Sequence, residues 1–325
     1  MTDKRTVLFS APYMIPFVER FRPVLSHYRL EILQADVEER LEEEDILGYA
    51  GQFDGTICGD DRYTERAVKA CLPRLKVISK WGTGIDSIDK QAAERLGVMV
   101  GNTPNAFTMP VADSVIGYLL AFARRLPWMD DALKAGAWRK IPGRTLSECT
   151  LGVIGVGNIG KAITRRARPF GMKVLGNDIV EIRHDFVRES GIEMTSLDDL
   201  LARADFVSVN CDLNPTSYHL INADTLSKMK PSTVLINAAR GPIVKEDDLV
   251  QALQTGAIAG AALDVFEFEP LPIDSPLRLM DNVMLAPHNA NSSPMAWERV
   301  HWNTIRNLLI GLEIPVDDFS PDKFE

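Results

Sequence analysis

The sequence has little that would support binding to nucleic acid or insertion into a membrane. Its 325 residues include 36 lysines and arginines against 45 aspartates and glutamates, which gives a formal net charge of −9. Nucleic-acid binding usually needs a basic face, which this charge balance does not favour. The sequence also lacks an apolar run of about 18 residues, the length that a transmembrane helix needs. We therefore expect neither a nucleic-acid partner nor a membrane partner.

Cysteine is scarce, and its spacing excludes the usual metal sites. The four cysteines, Cys58, Cys71, Cys149 and Cys211, lie far apart without a CxxC pair or a His/Cys ligand spacing. Such a pattern is typical of reduced thiols, and it predicts a cytoplasmic protein without a metal. The N-terminal stretch MTDKRTVLFSAPYMIPF lacks the apolar core and cleavage site of a signal peptide. We interpret it as the first β-strand.

Short apolar runs alternate with amphipathic stretches along most of the chain. A first series comprises TVLFSAP, LEILQ, DGTICG, LKVISKW and GVMVGN, and a second comprises TLGVIGVG, KVLGND, FVSVN, STVLINAA, AIAGAALDVF and NVMLAP. Alternation of strands and helices predicts right-handed βαβ units and parallel sheets. The two α/β series join near residues 102–110. An amphipathic helix, SPMAWERVHWNTIRNLLIGL, follows the second series and is expected to fold back onto the first.

The stretch LGVIGVGNIGK, residues 151–161, has the spacing of a dinucleotide-binding turn. An apolar strand enters the first glycine, and a segment with helical periodicity leaves the last. In such a turn the first glycine allows the tight bend, the second lets the pyrophosphate approach, and the third lets helix and strand pack closely. The phosphate lies at the helix N-terminus, where the helix dipole favours negative charge. The residues predicted to contact the cofactor here are Gly155, Gly157, Asn158, Ile159 and Gly160.

The residue expected to contact the ribose is Asp178, which ends the next apolar run about 20 residues further on. A carboxylate at this place accepts hydrogen bonds from the ribose hydroxyls and repels a 2′-phosphate. The sequence therefore predicts NAD, and not NADP, as the cofactor. Arg183 leaves an alternative open, because it could accommodate the phosphate if its loop turned inward.

Ionisable residues follow three strands of the second series, at the sheet edge where such folds bind their ligands. Arg240 would hold the carboxylate of a 2-oxo acid and polarise its carbonyl, because arginine offers a permanently charged bidentate fork. His288 would exchange the proton, since imidazole titrates near neutral pH. Glu269 would fix the tautomer of that imidazole and stabilise its protonated form. Asp264 is expected to contact the nicotinamide carboxamide. Together these residues predict hydride transfer.

At this point the chain resembles the D-isomer-specific 2-hydroxyacid dehydrogenases, a family that includes phosphoglycerate dehydrogenase. The resemblance rests on an ordered set of segments: LKVISKWGTGIDSID, GVMVGNTP, LGVIGVGNIGKAITRRARPFGMKV, MKPSTVLINAARGPIVKEDDLVQAL, GAALDVFEFEPLP and NVMLAPH. It implies a flavodoxin-like substrate domain, residues 1–101 and 292–325, split by an inserted Rossmann domain, residues 102–291, with the active site in the cleft between them. It also implies a homodimer. The family's catalytic trio corresponds to Arg240, Glu269 and His288.

The resemblance also implies where the substrate binds and how this chain differs. The family's substrate loop, whose backbone amides hold the carboxylate, corresponds to Lys80, Trp81, Gly82, Thr83 and Gly84. Phosphoglycerate-type members often carry an arginine after the third strand, where this chain has Cys58-Gly59-Asp60-Asp61. Two carboxylates would repel a phosphate, although Arg62 and Arg139 could restore positive charge. The prediction is a small anionic 2-oxo or 2-hydroxy acid.

The main hypothesis is thus an NAD-dependent dehydrogenase that interconverts a D-2-hydroxy acid and its 2-oxo acid. An alternative of another class is a non-catalytic NAD(H)-sensing scaffold with the same fold, which would not need the complete trio. A Rossmann methyltransferase is a third, and it does not explain Arg240, Glu269 and His288 at their spacing.

Overall fold

The structure is a computed structural model, and it describes residues 4–324. Apolar, β-branched runs form its strands, because such side chains pack well on a pleated surface that is buried on both faces. The strands are β1 (Arg5–Phe9), β2 (Leu30–Gln34), β3 (Gly55–Cys58), β4 (Val77–Lys80), β5 (Met99–Gly101), β6 (Thr150–Ile154), β7 (Lys173–Asn177), β8 (Glu193–Met194), β9 (Phe206–Val209), β10 (Val234–Asn237), β11 (Gly260–Leu263) and β12 (Val283–Leu285).

Helices occupy most of the amphipathic stretches between these strands. They are α1 (Val18–His27), α2 (Glu43–Gly48), α3 (Glu65–Ala70), α4 (Lys90–Arg95), α5 (Thr108–Arg124), α6 (Leu126–Lys134), α7 (Asn158–Ala167), α8 (His184–Ser190), α9 (Leu197–Arg203), α10 (Ala223–Ser227), α11 (Glu246–Thr255) and α12 (Pro294–Gly311). None of the helices within residues 4–324 has the length and apolar character required to cross a membrane.

The chain divides into two compact units, one of Met1–Phe107 with Ser293–Glu325 and one of Thr108–Ser292. In the first unit a five-stranded parallel sheet has the order β2-β1-β3-β4-β5, which is the flavodoxin-like order. The C-terminal helix α12 packs against β3, β4 and β5 of this sheet. The expected return of the last helix to the first series is therefore observed.

The second unit contains a seven-stranded parallel sheet with the order β12-β11-β10-β9-β6-β7-β8. The order reverses at β6, as in the doubly wound dinucleotide-binding fold. Helices α5 and α7 cover one face of the sheet, and α9, α10 and α11 cover the other, each over a buried apolar cluster. The predicted fold class, two doubly wound parallel sheets, is confirmed. Among the strands within residues 4–324, the short edge strand β8 alone was not predicted by an apolar run.

This topology places the candidate site residues. Because all strands of a parallel sheet point the same way, the loops after β6, β7, β10, β11 and β12 leave the same edge. The glycine turn, Asp178, Arg240, Glu269 and His288 lie in these loops.

Candidate active site

The glycine turn joins β6 to α7 in a conformation that requires glycine at two positions. Gly155 has a φ of +87°, and a Cβ there would lie 2.5 Å from the backbone nitrogen of Cys211. A Cβ on Gly160 would lie 2.1 Å from the carbonyl oxygen of Gly155. Any side chain at either position would therefore push the turn away from β9 or the helix away from β6.

Gly157 differs, because the space beside it is open. A Cβ at this position would meet no atom within 4 Å. Gly157 is the N-cap of α7, so Asn158, Ile159 and Gly160 form the first turn of the helix, whose amides point back towards the turn. An open surface at a helix N-terminus suits a phosphate group. The residues present thus fit the pyrophosphate of a dinucleotide.

Asp178 is fixed beside this turn, directly after β7. One carboxylate oxygen accepts a hydrogen bond from the backbone N–H of Val156 at 2.7 Å, and the other accepts from Val180 at 3.0 Å. The carboxylate is half-buried and keeps further lone pairs for ribose hydroxyls. The side chain of Arg183 is 83% exposed and lies near Asp185. The geometry of the loop therefore fits an unphosphorylated ribose.

Gly157→Ala is expected to weaken NADH binding without unfolding the protein. The new methyl group would occupy the open space where a phosphate approaches, and losing charge-assisted hydrogen bonds there should lower affinity by about tenfold or more. The free energy of unfolding should change by less than about 1 kcal/mol, because Gly157 has a negative φ of −74° and a new Cβ would meet no atom within 4 Å. Fluorescence titration with NADH and thermal unfolding measure the two quantities.

Gly48→Ala serves as the matched control for this change. Gly48 ends α2, and a Cβ there would also meet no atom within 4 Å. The affinity of Gly48→Ala for NADH should equal that of the wild-type protein. Unaltered NADH affinity in Gly157→Ala would show that no phosphate approaches this glycine.

His288 and Glu269 form a hydrogen-bonded pair at the ends of two neighbouring strands. The imidazole Nδ1 lies 3.0 Å from Oε2 of Glu269, while Oε1 accepts from the backbone N–H of Phe266 at 2.9 Å. The two side chains are 22% and 20% exposed, respectively. Because the carboxylate accepts the hydrogen bond from Nδ1, this nitrogen carries the hydrogen of the neutral ring.

Arg240 lies in the loop after β10, the strand next to β11. Its Nη1 donates to the carbonyl oxygen of Ala239 at 2.9 Å, and Nδ2 of Asn237 donates to the carbonyl oxygen of Arg240 at the same distance. The residue is half-buried. Its loop packs on the Glu269 loop so closely that a Cβ on Gly241 would lie 1.8 Å from the carbonyl oxygen of Phe266.

Asp264 holds the turn that carries His288. It is 1% exposed, and burial raises the pKa of its carboxyl group. The carboxylate accepts hydrogen bonds from the backbone N–H groups of Asn289 and Ala290 at 2.9–3.0 Å. The backbone carbonyl oxygen of Asp264 accepts one from the N–H of His288 at 2.7 Å. Its expected contact with the nicotinamide stays a prediction.

In the first unit, the loop from Lys80 to Gly84 is held at Trp81. Three hydrogen bonds fix this residue: its N–H donates to Cys58 at 2.8 Å, its carbonyl accepts from Lys80 Nζ at 2.9 Å, and its indole donates to His301 Nδ1 at 2.9 Å. Lys80 is 4% exposed and also lies 3.1 Å from Asp60. The loop continues through Gly82, with a φ of +117°.

Hydrogen bonds to the segment after β5 hold the rest of this loop. The hydroxyl of Thr83 donates to the carbonyl oxygen of Thr103 at 2.9 Å, and the N–H of Thr103 donates to Gly82 at 2.8 Å. The side-chain amide of Asn102 donates to Thr83. Gly84 follows in the same loop and is half-buried.

Sequence reasoning missed His301, the partner of the Trp81 indole. It is 4% exposed, and burial lowers the pKa of its imidazole to about 4, so Nδ1 is neutral and accepts. The sequence predicts α12 only as an amphipathic helix. The signal that could have identified His301 is its place on the apolar face of that helix. Within residues 4–324 no group of three or more histidine, cysteine, aspartate or glutamate side chains is arranged to hold a metal.

Comparison with known proteins agrees with this geometry. The family model described as D-isomer specific 2-hydroxyacid dehydrogenase, NAD binding domain, matches residues 116–290. A glyoxylate reductase of Thermofilum pendens is 40% identical over 277 residues, which cover 83% of this chain and 81% of that enzyme. A D-3-phosphoglycerate dehydrogenase of Methanocaldococcus jannaschii is 36% identical over 269 residues, 82% of this chain and 51% of that enzyme.

Solved structures show the same relationship. The crystal structure of a D-lactate dehydrogenase from Aquifex aeolicus, complexed with NAD and lactic acid, superposes with a TM-score of 0.82 at 29% identity, covering 95% of each chain. The predicted family and the predicted use of NAD are thereby confirmed, and the preference for NAD over NADP stays a prediction. This chain belongs to the D-isomer specific 2-hydroxyacid dehydrogenase family, and its second unit contains the NAD-binding domain.

Proposed function

We propose that the chain is an NAD-dependent dehydrogenase that interconverts a small, unphosphorylated 2-oxo acid and its D-2-hydroxy acid. The observation that carries the proposal is the pair of His288 and Glu269, with Nδ1 and Oε2 at 3.0 Å. The pair shares a sheet edge with Arg240 and the cofactor turn. The relatives named for glyoxylate and lactate support a small acid as substrate.

Each member of the trio has a distinct task in this proposal. Arg240 binds the substrate carboxylate through its planar fork and polarises the neighbouring carbonyl. His288 delivers the proton from Nε2 to the carbonyl oxygen in reduction and removes it in oxidation. Glu269 keeps the imidazole oriented through Nδ1 and stabilises its protonated form. When bound, NADH supplies the hydride.

The first unit supplies the substrate loop in this proposal. The backbone amides of Gly82, Thr83 and Gly84 would bind the carboxylate, as the family resemblance implies. Lys80 contributes by holding the carbonyl of Trp81, since its ammonium group is already paired with Asp60 at 3.1 Å. The nearby carboxyl of Asp61 is buried, and burial raises its pKa to about 6. Because Asp60 is paired with Lys80 and Asp61 is 0% exposed, neither carboxylate is offered to a ligand. The proposal that phosphate esters are poor substrates therefore rests on the relatives named for glyoxylate and lactate.

Glu269→Gln is expected to lower the kcat for 2-oxo acid reduction by about ten- to a hundredfold, because the protonated imidazole loses its charged partner. The single amide oxygen of glutamine can keep only one of the two hydrogen bonds that Glu269 accepts, from His288 Nδ1 or from the N–H of Phe266, so thermal unfolding is measured alongside. Without the charged partner, the protonated imidazole is less stable and loses its proton more readily. The pH above which reduction slows should therefore move to a lower value. A pH series of kcat measures this. An unchanged profile would show that Glu269 does not assist His288.

The proposal is tested by following NADH absorbance with a panel of 2-oxo acids. The panel comprises glyoxylate, pyruvate, hydroxypyruvate and its 3-phosphate. We expect at least one of the first three to exceed the phosphate ester in kcat/KM by about tenfold or more, because Lys80, the cation of the substrate loop, is already paired with Asp60 and leaves a phosphate group without a charged partner. NADH binding without turnover of any acid would favour the NAD(H)-sensing scaffold.

We also propose a cytoplasmic homodimer. The support is three exposed apolar side chains in and after α6: Leu126 is 51% exposed, Leu133 54% and Trp138 92%. Exposed large apolar side chains of this kind mark association surfaces. A monomer mass in light scattering would contradict the dimer.

A further inference from the structure

A second histidine–carboxylate pair joins the loop after β9 to the loop that carries Glu269. His219, in the loop after β9, has its Nε2 2.6 Å from Oε1 of Glu267, and the two side chains are 25% and 18% exposed. Glu267 precedes Glu269 by two positions. Because an ionised carboxylate only accepts, Nε2 carries the hydrogen. The pair is therefore oriented with the imidazole as donor.

Glu246, the first residue of α11, extends this pair into a cluster. Its backbone N–H donates to Oε2 of Glu267 at 3.0 Å, and its own Oε2 accepts from the backbone N–H of Glu267 at 3.2 Å. Burial and the neighbouring carboxylate raise the pKa of Glu246. The carboxylate of Glu267 thus has a fixed partner on each oxygen.

The cluster joins the loop after β10, which carries Arg240, to the loop after β11, which carries Glu269. The two loops pack backbone against backbone. The backbone at Gly241, next to Arg240, is so close to Phe266 and Glu267 that a Cβ would lie 1.8 Å from one carbonyl oxygen and 2.5 Å from the nitrogen of Glu267. His219 contacts both loops. Its backbone N–H donates to the carbonyl oxygen of Pro242 at 2.9 Å, and its imidazole contacts Glu267.

The backbone of His219 is held in an unfavourable conformation. Its φ is +50°, in the left-handed region that few residues other than glycine adopt. The side-chain amide of Asn222 donates to its carbonyl oxygen at 2.9 Å, and the imidazole stacks on Tyr218 at 4.0 Å. Conformations of this kind persist where the surrounding contacts determine them, and they concentrate at functional sites.

The cluster does not offer room for a ligand. A cavity of about 10 Å³ lies beside it, lined by Asn237, Gly241, Glu246 and Glu267 among others. That space holds about one water molecule. The cluster therefore acts through the loops that it joins.

We propose that His219 is a positioning residue that fixes the Arg240 loop against the Glu269 loop. The inference rests on the proposed roles of Arg240 and Glu269. By holding Glu267, His219 sets the position of Glu269 two residues later and thereby the orientation of the His288 ring. It touches neither substrate nor cofactor in this role. Displacement of a catalytic group by about 1 Å can cost a hundredfold in rate.

The test compares His219→Phe with His219→Gln. Phenylalanine keeps a ring on Tyr218 but removes the donor to Glu267, whereas glutamine restores a donor. We expect His219→Phe to lower the kcat for 2-oxo acid reduction by about tenfold or more, and His219→Gln to recover to within about threefold of the unchanged protein. The affinity for NADH should stay within about twofold, since no cofactor contact is lost.

Three further variants make the result specific. His27→Phe, an exposed histidine in the last turn of α1, is the matched control and should keep full activity. His219→Asn is the second variant if His219→Phe does not fold, because asparagine accepts the left-handed backbone while its shorter side chain falls short of Glu267. Combining His219→Phe with Glu269→Gln should lower kcat no further than Glu269→Gln alone, because both act through the same group.

Two results would overturn the inference alone. The first is an unchanged kcat in both His219→Phe and His219→Asn. The second is a loss of kcat in these variants that His219→Gln does not recover and that adds fully to the loss of kcat from Glu269→Gln. Both presuppose an unchanged protein that oxidises NADH with a 2-oxo acid. If the unchanged protein reduces no such acid, the proposed function fails, and this inference fails with it.

Discussion

His288→Asn is expected to lower the kcat for reduction of a 2-oxo acid by about a thousandfold, within the range known for removal of a positioned proton donor. Asparagine suits the site, because the backbone of His288 has a φ of +49° and asparagine tolerates the left-handed region better than most residues. The hydrogen bonds of Asp264 to the amides of Asn289 and Ala290 would hold the turn in place. The loss of activity should therefore reflect the missing imidazole. Steady-state kinetics with saturating NADH measure it.

The matched measurement is the affinity of His288→Asn for NADH, which should change by no more than about twofold because the cofactor turn is untouched. A retained kcat would show that another group delivers the proton. A joint loss of NADH affinity and of thermal stability would instead point to a disrupted turn. The two causes are thus separated by three measurements on one variant.

Arg240→Lys is expected to lower kcat/KM for the 2-oxo acid by about a hundredfold. Lysine keeps the charge but loses the planar fork, and a charge-assisted hydrogen bond of about 1.5–3 kcal/mol goes with it. Part of the loss should fall on kcat, since in the proposed mechanism Arg240 also polarises the reacting carbonyl, and part on KM. Separate determination of kcat and KM gives both contributions.

Arg188→Lys is the control for this substitution. Arg188 lies on α8, is 78% exposed and pairs with Asp185 at the surface, where such a pair contributes little to stability or function. Its kinetic constants should equal those of the unchanged protein. If Arg240→Lys also kept them, Arg240 would have no bidentate contact with the substrate.

The sequence was informative where the chemistry requires a particular residue type at a strand end. Gly155 and Gly160 leave no space for a Cβ, and that constraint is visible as glycine spacing after an apolar run. Glu269 and His288, 19 positions apart, are brought together because β11 and β12 are neighbouring parallel strands. The sequence predicts that both residues follow strands at one sheet edge, and the family resemblance implies their pairing.

Other features depend on contacts between distant segments, which residue patterns do not show. The ion pair of Lys80 with Asp60 joins two strand ends that lie 20 positions apart in the sequence. Asp264 and Ala290 are joined by hydrogen bonds across 26 positions. Strand β8 has only two residues and an exposed start, so no apolar run marks it. In each case tertiary packing, and not local pattern, determines the outcome.

Transfer of the hydride itself is the most direct test of the account. The protein is incubated with a 2-oxo acid and NADH that carries deuterium at both transferable positions of the nicotinamide, and the product is analysed by mass spectrometry and chiral chromatography. We predict a D-2-hydroxy acid with one deuterium at C2, formed by the unchanged protein and almost absent with His288→Asn. A product without deuterium, or of the L configuration, would contradict the account.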